Sequence, residues 1–230
     1  MELTAVTPSV RAMNDKSSFI RVAGMLCLVG AVIGAIGGLV TAFYPAAVAS
    51  TQFSYPFTPT GYIVAELSFA LNHVLLLIGL LGVSRSGAAG TGLIGRSGLW
   101  IAVGGMAVLT ICELRAMTLA NSAYPAPETD LLDMGYGAAT ILIGIGLTMA
   151  GIAVARARIW TGWARFVLLA CGVAVFVVVL PGVFGPFLAG RLVLVTWMLM
   201  FAALGLALVR SGQPSSMVSD HRAKLEPSAS

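Results

Sequence analysis

Six apolar runs set the terms for this chain. They cover about Ile20–Tyr44, Gly61–Val83, Gly98–Leu119, Tyr136–Ala155, Trp163–Leu180 and Arg191–Val209. Each is near the ~20 residues a helix needs to cross a hydrocarbon core. Lipid offers backbone groups no partners, so only helices and closed barrels cross it. These runs lack the period-two alternation of a membrane strand. The expected fold is therefore an all-α membrane protein, a bundle of six transmembrane helices paired as three helical hairpins.

Composition excludes a soluble alternative. Of 230 residues, 58% are hydrophobic and 10% charged, against about 25% charged in soluble domains. Mean hydropathy is +0.96. A chain of this length cannot hide that much apolar surface from water. The net charge of +4 forms no basic patch, so nucleic acid is not an expected partner; the lipid bilayer is. Only Lys16 and Lys224 are lysines, and Ala, Gly and Val abound. That balance points to a GC-rich bacterial genome and hence a bacterial inner (cell) membrane.

The basic residues mark the orientation. With six spans, one side carries Arg11, Lys16, Arg21, Arg85, Arg96, Arg156, Arg158, Arg165, Arg210, Arg222 and Lys224. The other carries only Arg115 and Arg191. Cytoplasmic loops are enriched in Lys and Arg, so both termini are expected in the cytoplasm. Residues 1–19 are polar and are expected to be disordered or to lie on the membrane surface. Residues 20–210 form the membrane domain, and residues 211–230 read as a disordered cytoplasmic tail.

The first apolar run exceeds the 7–15 residues of a signal-peptide core, so it is read as a retained span, despite the cleavage-like Ala47-Val48-Ala49. Similar Gly-to-Arg endings at Gly79–Arg85, Gly151–Arg156 and Gly205–Arg210 fit either a triplicated hairpin or any hairpin ending at a cytoplasmic face. The connection Pro181–Gly190 is apolar and is expected to lie at the interface, with a re-entrant loop as the alternative.

Helix 1 carries Gly30, Gly34 and Gly38, a stripe that permits close backbone approach. Internal packing is the first expectation and a homo-oligomer seam through helix 1 the second. Cys27, Cys112 and Cys171 occupy different runs without a CxxC partner, which argues against disulfides or a zinc site.

The polar residues inside the spans carry whatever chemistry there is, because hydrocarbon is a costly place for them. Glu66 and His73 are seven residues apart, so they share a face two turns apart. At 1.5 Å per residue from Tyr62, Glu66 lies roughly 6 Å and His73 roughly 16 Å below the outer boundary. Glu113, on an outward-running helix, falls at the depth of Glu66. Asn72 neighbours His73, while Arg115, Asp133 and Arg191 sit at the outer boundary. One reading pairs Glu66 or Glu113 with Arg115 or Arg191 as structural locks. The other is an outward-facing polar pocket, in which the two glutamates hold a cation or take protons and His73 closes the floor. Burial favours the neutral acid in such a place.

No phosphate loop, nucleophile elbow or HExxH occurs. A metal site from Glu66, His73 and Glu113 lacks any recognised ligand spacing, and a single intramembrane His does not suit a haem. No metal and no cofactor are expected. The leading functional expectation is a polytopic protein that binds or transports a small solute or amphiphile through the outward-facing pocket. The alternatives are a membrane enzyme using Glu66, Glu113 and His73 as acid–base groups on a lipid-like substrate, and a structural or accessory subunit.

Overall fold

A computed structural model of the chain describes residues 8–212. It contains six long helices: α1 (Pro8–Phe43), α2 (Pro59–Ser86), α3 (Leu93–Thr118), α4 (Pro127–Ala157), α5 (Ala164–Val183) and α6 (Phe187–Ser211). All six are long and apolar enough to cross a membrane. Their outward faces are apolar, as Val22, Met25, Val29, Val32 and Ile36 are on α1, which is the surface lipid contact requires.

Local signals explain where the helices begin and end. Pro59 fits the first turn of α2, where its missing N–H loses nothing. Thr58 caps that turn, its hydroxyl accepting from the Gly61 N–H at 3.2 Å. Gly87 ends the helix at φ 75°, a left-handed position that suits glycine. Pro127 opens α4, and Glu128 and Asp130 place negative charge in its first turn, where the helix dipole favours it. α5 contains a π turn over Val175–Val179 just before Pro181.

The boundaries depart from the sequence reading in two places. α1 starts at Pro8, so residues 8–19 are helical, which removes the disordered alternative and leaves the surface-lying one untouched. Proline is well suited to a helix start, and the helix continues past the apolar run that hydropathy detects. Most of the loop expected over Pro181–Gly190 is helical: α5 runs to Val183 and α6 restarts at Phe187, which leaves residues 184–186 as the connection. Residues 1–7 and the expected tail beyond residue 212 lie outside the described residues.

Each helix packs on its sequence neighbours, and α6 packs back along α1. The tightest pairings join α1 with α6 and α3 with α4, so the packing does not single out three separate hairpins. Both described chain ends share one end of the bundle, where the Ser17 hydroxyl donates to the Gly212 carbonyl at 2.6 Å.

Glycines govern these contacts. A Cβ on Gly24 would sit 2.9 Å from the Gly205 carbonyl, so α1 and α6 touch backbone to backbone. A Cβ on Gly98 would meet the Gly146 carbonyl of α4 at 2.8 Å. The expected stripe is used inside the chain. Gly30 faces Leu75 of α2, Gly34 faces Asn72 of α2 and Met198 of α6, and Gly38 faces Val195 of α6. The homo-oligomer seam proposed for those glycines is therefore already occupied. Such close approach replaces the hydrophobic drive that lipid cannot supply between helices.

Candidate functional site

At the bundle end opposite the chain termini, two loops interlock. The Phe53 N–H donates to the Ser122 carbonyl at 3.0 Å, and the Tyr124 N–H to the Thr51 carbonyl at 2.8 Å. This isolated bridge ties the α1–α2 loop to the α3–α4 loop. Aromatic rings fill the space beneath: Phe53 contacts Tyr62 edge-on at 5.7 Å and Tyr124 at 5.8 Å, and Tyr44 contacts Phe57 at 4.6 Å.

Below the interlocked loops lies a small apolar layer of Phe57, Tyr62, Cys112, Ala116, Leu119, Ala120 and Leu132. One turn deeper, the polar residues converge. α2 supplies Glu66 and His73, α3 supplies Glu113, and α4 supplies Tyr136. The seven-residue spacing on α2 presents both of its side chains to α3, as helix periodicity requires. Glu66, His73 and Glu113 are each 6–7% exposed. Deeper still, Leu76, Met106, Leu109, Ala139 and Ile143 belong to the main core. The acids thus form a polar layer between two apolar ones.

Tyr136 organises this layer. Its hydroxyl donates to Glu113 Oε2 at 2.9 Å and lies 3.4 Å from Glu66 Oε2. One hydroxyl has one proton, so it serves one carboxylate fully at a time. His73 Nδ1 stands 3.4 Å from Glu113 Oε1. That is ion-pair range, but the nitrogen is not aligned for a hydrogen bond.

Apart from His73 beside Glu113, the acids have no basic neighbour in ion-pair range among the described residues. Among the described residues neither glutamate is within ion-pair distance of an arginine or lysine. Arg115 is exposed and bonds Thr118 on its own helix. Arg191 lies over the Phe187 ring, 5.0 Å from its centroid. Asp133 accepts a hydrogen bond from the Tyr124 hydroxyl at 3.1 Å on the exposed rim. The structural locks between the glutamates and Arg115 or Arg191 are therefore not formed. Both arginines stand at the boundary with aliphatic stems long enough to reach water or an aromatic face instead.

Asn72 also parts company with the cluster. Adjacent helix residues point about 100° apart. Asn72 accordingly faces α1 and α6, with Nδ2 3.7 Å from Met198 Sδ and Oδ1 unpartnered. Tyr136 is the member the sequence reading lacks. Hydropathy puts it at the mouth of the fourth span, whereas α4 begins at Pro127 and carries Tyr136 more than two turns in. The Pro127-Glu128 start signal is the clue that places it at depth.

Both acids are buried beneath the layer that holds Phe57 and Tyr62. Among the described residues no three His, Cys, Asp or Glu side chains group as a metal-ligand set. What remains is an acid pair in a poorly solvated place. Two carboxylate charges joined through one hydroxyl repel each other strongly where water is scarce, and a proton or cation between them relieves that repulsion. The chain matches no known family model, no curated protein and no solved structure, so the site is read from its own geometry.

Proposed function

We propose that this polytopic membrane protein binds a proton or small cation at Glu66 and Glu113, and couples that occupancy to movement of a small solute or amphiphile. The observation that carries this reading is one hydroxyl, Tyr136, bridging two buried carboxylates that have no arginine or lysine partner among the described residues, with His73 the base beside Glu113. An intramembrane acid without a counter-charge is expensive, and such residues mark ion and proton pathways by default. In this account the interlocked loops and the Phe57–Tyr62 layer describe an occluded state. Opening them would expose the acids to the end that has few basic residues, taken as the outside from the arginine asymmetry. His73, beside Glu113, would accept or return the proton as the pair changes charge.

A purely structural subunit is the weaker reading, because the arginine locks it was expected to use, Arg115 or Arg191 on either glutamate, are absent among the described residues. Oligomers, if formed, would use a face other than the glycine stripe, which is filled within the chain.

The test uses proteoliposomes loaded with a pH-sensitive dye and challenged with tetraphenylphosphonium or sodium. Wild type should acidify or alkalinise the lumen when one probe is added, and Glu113→Gln should abolish the response. An identical response from wild type, Glu113→Gln and protein-free vesicles to both probes would contradict the proposal.

A further inference from the structure

At the chain-terminus end of the bundle, the turn from α4 into α5 forms an open groove of about 600 Å³. Arg158, Trp160, Trp163, Arg165 and Phe166 line it. We infer that this groove is a binding site for the headgroup of an anionic phospholipid, with Arg158 and Arg165 holding the phosphate and Trp163 and Phe166 receiving the glycerol and upper acyl chains.

Three observations support this. The first is charge. Arg156, Arg158, Arg165 and Arg210 all stand near this corner, and among the described residues none has a carboxylate within ion-pair distance. Arg210 instead lies over the Trp163 ring at 5.3 Å, and Arg165 over Phe166 at 4.9 Å. Arg165 is held in place by its Nε–H, which donates to the Ala155 carbonyl at 2.9 Å. That bond leaves the terminal nitrogens of its guanidinium for a ligand.

The second observation is backbone conformation. Arg158 ends α4 at φ 55°, in the left-handed region. Glycine takes that conformation at less cost than any branched or long side chain. Here the position carries a guanidinium instead, at the mouth of the groove.

The third is depth and composition. The groove lies where two candidate membrane spans, α4 and α5, end and begin, which is where a boundary between lipid and water is expected. Ile159, Trp163 and Phe166 are 45–56% exposed beside it. Trp is suited to that boundary, and basic pockets between membrane helices suit phosphate headgroups. A phospholipid satisfies the cationic and the apolar parts together, whereas free phosphate satisfies only the first.

The experiment titrates purified full-length protein in detergent with phosphatidylglycerol, phosphatidylcholine or inorganic phosphate, and reads thermal stability. Phosphatidylglycerol should stabilise wild type, and the other two should not. Arg158→Gly retains a residue that accepts the left-handed backbone, so its lipid-free stability should match or exceed wild type. It should nevertheless need about fivefold more phosphatidylglycerol for half the effect, the weight of one basic contact near a lipid surface. Arg96→Gln, which removes an exposed arginine outside the groove, should leave the titration unchanged. Equal stabilisation by phosphatidylcholine or inorganic phosphate would overturn the inference. So would an unchanged titration for Arg158→Gly, or an equal loss for Arg96→Gln.

Discussion

Tyr136 on α4 donates its hydroxyl hydrogen bond to Glu113 on α3 at 2.9 Å. Through the same oxygen, 3.4 Å from Glu66 Oε2, it joins three helices at one depth. The contact makes Tyr136 the bridge of the acid layer rather than a boundary aromatic. Tyr136→Phe keeps the ring and removes the bridge. Leaving a buried acceptor unsatisfied costs about 1–3 kcal/mol. The variant should therefore melt lower than wild type in detergent, more so at pH 8 than at pH 5, where protonated acids can bond each other. An unchanged melting curve at both pH values would show that the hydroxyl contributes nothing.

The two glutamates give a prediction with a definite sign. Neither is paired with an arginine, so removing one charge relieves repulsion, and only Glu113→Gln also gives up a contact, the one to His73. Glu66→Gln and Glu113→Gln should be tolerated or stabilising, with the benefit larger at pH 8, where ionisation of both acids is most favoured. Breaking a true buried ion pair would instead cost about 3–5 kcal/mol. Losses of that size from both single variants at pH 8 would restore the structural-lock reading.

Packing of α1 is tested at Gly34. A Cβ there would stand 2.7 Å from Met198 Sδ and 2.8 Å from Asn72 Nδ2. Gly34→Leu should cost about 1–3 kcal/mol or more through overpacking, seen as poor expression or an early thermal transition. Ile36→Leu, on the exposed face, should be neutral. Wild-type behaviour of Gly34→Leu would mean that α1 packs elsewhere.

Orientation is tested by thiol labelling in a background lacking Cys27, Cys112 and Cys171. Thr58 and Glu128 are exposed at the interlocked-loop end, and Thr91 is exposed at the terminus end. Cysteines at the first two should react with an impermeant reagent on intact cells, and one at Thr91 should not. The opposite pattern would turn the bundle over and place the acid layer nearer the cytoplasm.

Much of this architecture was legible in the residues. Hydropathy finds six spans because lipid demands long apolar helices. The spacing of Glu66 and His73 and the depth of Glu113 follow from 1.5 Å and 100° per residue. Helix ends were harder, since hydropathy stops where charges begin while the helix continues. That is why Pro127, and with it the depth of Tyr136, is read only from the capping chemistry. Asn72 shows the reverse: helix geometry alone separates it from His73. The fates of Arg115 and Arg191 were not legible, because a long side chain at an interface chooses among water, a neighbouring hydroxyl and a ring on small energy differences.

The central claim is that the Glu66–Glu113 pair holds a proton or cation inside the bundle. Infrared difference spectroscopy of the purified protein, in sodium-free buffer at neutral pH, reads this directly through the carbonyl stretch of a protonated carboxylic acid. The account predicts such a band in wild type, shifted in Tyr136→Phe, abolished in the Glu66→Gln, Glu113→Gln double variant, and displaced when a competing cation binds. A wild-type spectrum without a protonated-acid band, unchanged by added cations or by the double substitution, would contradict it.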